Sequence, residues 1–362
     1  MELQRFSAQR FRNLHDLEMT PAARMNVIYG ENAQGKTNLL EAVYVLSTLR
    51  SFRTRQLPET LQFGENNLLL QGVVQSGHSN HALVVALQNG ERVALLDRKR
   101  VDAFDYLGAF NVFLFSFPLL EVVRGGPEER RKFFDRSIAI SKPGYLPELM
   151  QLHRTIKQKN ALLLTLQRGE IGKKEGAEEL RSFNEQLVQH GVAVTEQRRS
   201  YLTRLTELLH EKQRLFFDPE ARLGMEIQSS FRTAEEFRRN LERNLENEVA
   251  RGISLVGPHR DEVKLTVNGK ELRKYGSSGQ HRAFLLLVLL AQLSLYERMR
   301  ADQPVLLLDD LDSELDQAKI ERFLTEIRDR YQTFVGSSRH ELFSGQPDAR
   351  LYEIRAGILQ EM

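Results

Sequence analysis

The chain has 362 residues, 41% of them hydrophobic and 28% charged, and a formal net charge of +2. That balance suits one large or two ordinary globular domains and excludes both a disordered polyelectrolyte and a chain that holds nucleic acid by bulk charge alone. Cysteine is absent, which excludes disulfides, thiol catalysis and Cys-ligated zinc.

Residues 1–8 lack the apolar core of a secretory leader, and the longest apolar run, near Phe284 to Leu290, is too short to span a bilayer. A cytoplasmic protein with no membrane partner is expected. Leu3 to Leu14 reads as a strand and turn. Met25 to Tyr29 is a short apolar run that ends at Gly30, the pattern of a buried strand entering a loop. The next eight residues, Gly30-Glu31-Asn32-Ala33-Gln34-Gly35-Lys36-Thr37, satisfy G-x-x-x-x-G-K-[ST], and Asn38 to Leu46 continues with helical apolar spacing. Strand, glycine loop and helix in that order make a phosphate cradle for ATP. The glycines let backbone N–H groups turn inward. Lys36 supplies a point charge to the β- and γ-phosphates, and the Thr37 hydroxyl is a Mg²⁺ ligand.

From Asn67 to Val101 the pattern alternates, with turns at Gly77, Asn89-Gly90 and Asp97, and predicts antiparallel strands. Tyr145 to Phe217 carries leucines at helical steps with a break at Gly169 to Gly172, which predicts two helices folded back as an antiparallel pair. Leu223 to Gln228 reads as a strand, Thr233 to Ala250 as a helix, and Val263 to Val267 as a strand with an Asn268-Gly269 turn. Ser277 is a good N-cap for a long helix running to Leu295. The free N–H groups of that helix offer a second anion site, which can serve the ATP of a partner subunit in a head-to-tail pair. Leu306 to Asp310 is an apolar strand ending in two acids, and Phe334-Val335-Gly336 is a second buried strand. Asp309 is placed to hold Mg²⁺ opposite Thr37, and Asp310 to orient the attacking water. The expected layout is an α/β P-loop ATPase split into residues 1–135 and 251–362 by a helical insertion at 136–250.

The order of phosphate loop, helical insertion, Ser-x-Gly-Gln helix and acidic strand resembles the ABC-type ATPases of DNA repair and chromosome maintenance, and within them the RecF family. The more specific matches are Phe11-Arg12-Asn13-Leu14, Ser51-Phe52-Arg53-Thr54, Gly126-Pro127 with Arg130-Arg131 and Phe134-Asp135, Gly257-Pro258-His259-Arg260-Asp261, and Leu308-Asp309-Asp310 with Ser313-Glu314-Leu315-Asp316. They run through nearly the whole chain. The resemblance implies an ABC-type head and an ATP-dependent homodimer with weak, DNA-stimulated ATPase activity. It also implies binding to gapped or single-strand/double-strand junction DNA, in concert with the RecO and RecR mediators that help RecA load. It implies that Ser277, Gly279 and Gln280 face the partner's ATP, that Arg12 and Asn13 lie near the nucleotide, and that Ser313 and Asp316 sit at the dimer seam. Three positions depart from the pattern. Phe117-Pro118-Leu119 stands where the family usually carries acids, so hydrolysis is expected to be slow, and an ATP-binding module with little turnover is the competing reading. Ser278 replaces a usual basic or glycine residue. The switch position after the last strand falls on Ser337, Ser338 or His340.

Three basic clusters are candidates for DNA phosphates: Arg50, Arg53 and Arg55; Arg98, Lys99 and Arg100; and Arg130, Arg131 and Lys132. Arg53 and Arg55 lead, because they follow the nucleotide helix and can couple ATP state to DNA.

Overall fold

Strand and helix boundaries follow burial closely in the computed structural model, which describes residues 1–311, 316–343 and 348–362. In chain order the strands are β1 (Glu2–Gln9), β2 (Leu17–Met19), β3 (Met25–Tyr29), β4 (Asn67–Ser76), β5 (Ser79–Gln88), β6 (Glu91–Leu96), β7 (Lys99–Arg100), β8 (Val112–Phe115), β9 (Leu223–Gln228), β10 (Glu262–Val267), β11 (Lys270–Glu271), β12 (Val305–Asp309), β13 (Thr333–Ser337), β14 (Ala349–Arg355) and β15 (Ile358–Glu361). The longer helices are α1 (Lys36–Thr48), α2 (Pro127–Ser141), α3 (Tyr145–Gln167), α4 (Lys173–Lys212), α5 (Ala234–Arg251), α6 (Ser278–Arg300) and α7 (Gln317–Ile327). Two compact units result. The first holds Met1–Leu120, Lys212–Pro219 and Ser277–Met362, the second Glu121–Glu211 and Glu220–Gly276. Residues 135 and 250, where the sequence reading divides the chain, both fall inside the second unit.

In the first unit a six-stranded sheet has the order β15-β14-β3-β13-β12-β8. All neighbours from β14 to β8 are parallel, and β15 closes the edge as an antiparallel hairpin with β14. Every residue of β12 and β13 is buried, as is all of β3 but Tyr29. Burial of successive residues, mostly apolar, is what a sheet covered on both faces demands. The register pairs Asp309 with Gly336, and Gly336 with Ile28. The carboxyl ends of β12, β13 and β3 therefore share one edge, where open α/β sheets bind their ligands. A second six-stranded sheet, β2-β1-β4-β5-β6-β7, is antiparallel throughout. Its turns carry paired positive φ angles, Asn89 and Gly90 (50° and 82°) and Asp97 and Arg98 (50° and 67°), as two-residue hairpins require. The two sheets share one core: Leu39, Leu40, Val43 and Leu46 of α1 join Phe6 of β1, Leu70 of β4, Val85 of β5, Leu307 of β12 and Phe334 of β13 in a single buried cluster.

In the second unit α3 and α4 run antiparallel. Glu148 meets His190, Thr155 meets Gln186, and Leu162 and Leu163 pack with Leu180, so positions rise along one helix as they fall along the other. The unit holds more than the expected helix pair. α5 joins it through Lys159 and Glu248, a fully buried pair at 2.7 Å, in which burial pushes the Lys159 ammonium down and Glu248 pulls it up. A three-stranded sheet, β11-β10-β9, completes the unit. Two of the family-like segments meet here: Asp135 takes the Arg198 guanidinium in a fork at 2.8 and 2.8 Å, and Asp261 and the Pro258 carbonyl take its other end at 3.2 and 2.7 Å. Arg130 is also buried, against Glu262 at 3.0 Å, and Arg131 donates to the Asp261 carbonyl at 2.6 Å. Of the candidate cluster, Arg130 is thus buried and Arg131 half-buried, both engaged within the unit, and Lys132 is exposed. No helix among the described residues is long and apolar enough to cross a membrane.

Removing one partner of a buried ion cluster strands the other, at about 3–5 kcal/mol. Arg198→Leu is expected to lower unfolding stability by that amount in urea denaturation followed by circular dichroism. A loss under about 1 kcal/mol would contradict this role for Arg198.

Candidate nucleotide site

The phosphate loop leaves β3 at Gly30 and enters α1 at Lys36. Its shape depends on glycine twice: Gly30 has φ +156° and Gly35 φ +126°. Space requires glycine as well. A Cβ on Gly30 would collide with the Ile354 carbonyl, and one on Gly35 would lie 2.9 Å from Ile354 Cδ1. The side chain of Lys36 is buried and its Nζ donates to the carbonyls of Gly30 and Glu31 at 2.8 and 2.9 Å. The ammonium thus lies inside the loop, beside the N-terminus of α1, where anions are favoured. Beside the loop opens a cleft of about 860 Å³, lined by Gly30, Glu31, Asn32 and Gln34 on one side and by Ser338, Glu341, Glu353 and Arg355 on the other.

The Thr37 hydroxyl donates to Asp309 Oδ1 at 2.9 Å. Gly336 on β13 makes room for this meeting, since a Cβ there would lie 3.2 Å from Asp309 Oδ1 and 3.7 Å from Lys36 Cβ. Burial, then the charge of Asp310, push the Asp309 carboxyl up from 3.8 to about 7; the Thr37 hydrogen bond and the cations Arg53 and Lys36 pull it down. A hydroxyl and a carboxylate this close are the hard oxygen pair that Mg²⁺ takes, with phosphate oxygens and water completing the shell. Among the described residues no group of three or more His, Cys, Asp or Glu is placed to hold a metal by itself. Asp310 sits at φ 52°, with its N–H on the Gly336 carbonyl at 3.0 Å. Aspartate is among the side chains that adopt this left-handed conformation most readily.

The segments around Arg12 and Arg53 converge on one residue that the sequence did not mark. Glu41 is completely buried on α1, one turn beyond Thr37. It accepts from Arg12 Nε and Nη2 at 3.0 and 2.8 Å, from Arg53 Nη1 at 3.2 Å, and from the Ser51 hydroxyl. Arg53 also donates to Asn38 at 2.6 Å; Asn38 in turn donates to Asn13 at 2.7 Å, and Asn13 to the Gln34 carbonyl at 3.3 Å. Arg12 and Asn13 are thereby connected to the phosphate loop. Arg53, 40% exposed, faces both this network and solvent, whereas Arg55 is exposed. The signal for Glu41 was a lone acid within the apolar run Leu39-Leu40-Glu41-Ala42-Val43, which reads equally well as one turn of a solvated face.

At the start of α6, Ser277 and Gln280 form a reciprocal capping box, with Gln280 N–H on Ser277 Oγ at 3.2 Å and Ser277 N–H on Gln280 Oε1 at 2.9 Å. Both are exposed, as is Gly279. Among the described residues, a Cβ on Gly279 would meet only Ser277 Oγ, at 3.9 Å, so no described contact requires a glycine there. Asp316 caps α7 through Lys319 N–H at 2.9 Å and is exposed. Ser313 lies outside the described residues, as does the side chain of His340. Phe117-Pro118-Leu119 forms part of a short 3₁₀ turn after β8, with Phe117 exposed.

Residues 2–357 match the family model described as the RecF/RecN/SMC N-terminal domain. A relative from Halalkalibacterium halodurans, named DNA replication and repair protein RecF, is 34% identical with both chains covered in full. A relative of the same name from Staphylococcus aureus is 32% identical, with 99% of each chain covered. A solved structure of the recombination mediator protein RecF with ATP in the RecFOR pathway is 29% identical and superposes with a TM-score of 0.89 over 99% of each chain.

The raised Asp309 carboxyl has a consequence for stability. The folded chain binds that proton more tightly than the unfolded chain, so the group costs the parent stability progressively as pH rises from near 4 through about 7. Asp309→Asn keeps an acceptor for Thr37 and removes the titration. In buffer free of nucleotide and divalent metal, its thermal midpoint should exceed that of the parent by an amount that is smallest at pH 4, grows to pH 7 and then levels off. A difference that stays flat from pH 4 to pH 8 would contradict the assigned shift.

Proposed function

The chain belongs to the RecF family of DNA replication and repair proteins and carries its ABC-type ATPase head, and from that premise we propose that ATP acts in it as a gate on dimerisation and DNA binding. The observation that carries this reading is the exposed start of α6. Among the described residues, Gly279 has no neighbour that asks for a glycine. A glycine at an exposed helix N-terminus suits the close approach of an anion from outside the chain, and the γ-phosphate held by a second copy is such an anion.

Each ATP would lie between two chains. The backbone N–H groups of Gly30 to Thr37 and the Lys36 ammonium would hold the β- and γ-phosphates of one face. Mg²⁺, when bound by Thr37 and Asp309, would supply charge neutralisation at those phosphates. Asp310 would orient the water that attacks the γ-phosphorus. Ser277, Gly279 and Gln280 of the partner would close the other face, with Ser313 and Asp316 along the seam. Loss of the γ-phosphate removes the group that both chains share, so hydrolysis favours separation.

Turnover is weak in this reading, since no carboxylate stands at Phe117-Pro118-Leu119, and DNA-stimulated by resemblance to the family. Arg53 and Arg55 would contact the phosphates of gapped or junction DNA. Because Arg53 also touches Glu41 and Asn38, DNA at that surface would be felt at the nucleotide helix. RecO and RecR are the expected protein partners, with RecA loading as the outcome, and the cytoplasm is the expected place of action.

Lys36→Ala removes the charge at the phosphates and is expected to abolish ATP-driven dimerisation. Sedimentation velocity with and without ATP checks this. A variant that dimerises as fully as the parent in ATP would overturn the gate.

A further inference from the structure

We propose that Gln34 is a positioning residue for the nucleotide, and that the turn at Arg355, Ala356 and Gly357, which it grips, is part of the nucleotide site. The inference rests on the ATP reading above and adds to it a segment near the other end of the chain. Gln34 occupies one of the variable positions of the phosphate loop, yet its side chain is committed to the turn between β14 and β15. Gln34 Oε1 accepts from Ala356 N–H at 2.6 Å. Its main-chain carbonyl accepts from Gly357 N–H at 2.9 Å and from Asn13 Nδ2 at 3.3 Å.

The peptide plane makes this grip matter. A trans peptide points its C=O and N–H to opposite sides. With the Gln34 carbonyl held outward by two donors, the Gly35 N–H is turned the other way, toward the cradle that takes phosphate oxygens. The neighbouring residues cannot fix this by themselves, since Ala33 has φ +66° and Gly35 φ +126°, conformations of low intrinsic preference.

The turn is itself held from the far side. His15 N–H donates to the Gly357 carbonyl at 3.1 Å. Gly357 has φ +81°, and a Cβ there would collide with the Asn13 carbonyl. Three residues before Gly357, Ile354 of β14 lies against both loop glycines. Ala356 and Arg355 then form part of the wall of the cleft that Gly30, Glu31, Asn32 and Gln34 line. The C-terminal hairpin thus sets the shape of the loop before any anion arrives, and lowers the ordering cost of binding.

Gln34→Met keeps the length of the side chain and removes its acceptor. In titration calorimetry on the full chain, it is expected to weaken ATP and ADP alike, on the order of tenfold, the size of one hydrogen bond lost, with their ratio unchanged. The loss should appear in KM for ATP rather than in kcat, with the thermal midpoint lowered by no more than a few degrees, the share of one internal hydrogen bond. Gly357→Ala, which displaces the turn, should weaken both nucleotides further. Equal affinity of Gln34→Met and the parent for both nucleotides would overturn the proposal. So would a loss confined to ATP, which would assign Gln34 to the γ-phosphate, or a loss confined to kcat. A parent that binds neither nucleotide would remove the underlying reading, and this inference with it.

Discussion

The contact on which the site depends is the hydrogen bond from Thr37 to Asp309, 2.9 Å across a separation of 272 residues. It can form only because β3, β13 and β12 are parallel neighbours whose carboxyl ends share one edge, and because Gly336 on the middle strand has no side chain to intervene. Parallel order puts the connections between strands on the faces of the sheet, which leaves that edge open to a ligand. The entire second unit enters the chain within one such connection, between β8 and β12, without disturbing the register.

Burial tunes what this contact can do. A carboxyl held near neutrality is poorly charged without a cation and fully charged with one. Glu41 is completely buried on α1, and Arg12, Arg53 and Ser51 supply the hydrogen bonds that burial demands. A single carboxylate between two guanidiniums leaves excess positive charge beside the nucleotide helix. That arrangement ties the residues around Arg12 to those around Arg53 through the same helix that carries Lys36 and Thr37.

What could be read from the residues alone was local. The phosphate loop is a contiguous motif whose glycines, lysine and threonine act within eight positions. The buried strands β3, β12 and β13 announce themselves as short, mostly apolar runs, and the hairpins by Asn-Gly and related turns. What could not be read was supplied by partners far along the chain. Ile354 explains the loop glycines better than the loop does, yet the β14 strand, half-buried along most of its length, has no strong period. Glu41 looked like an ordinary polar position. Arg130 and Arg131 looked like a surface cluster because a basic run carries no sign of the acids, Glu262 and the Asp261 segment, that meet it after folding. Charge patterns show which residues want partners, and only the fold shows whether those partners lie in the same chain.

For the exposed start of α6 the partner lies outside the chain in this account, so the most direct measurement mixes two defective chains. One carries Lys36→Ala, which spoils its phosphate loop and leaves its α6 start intact. The other carries Gly279→Trp, which blocks its α6 start and leaves its phosphate loop intact. Each alone should stay monomeric in ATP by sedimentation velocity. Mixed in equal amounts they should form heterodimers with one working composite site and recover part of the parent's ATP hydrolysis. Parent-like dimerisation by Gly279→Trp alone, or a mixture no better than its two components, would contradict a site shared between two copies.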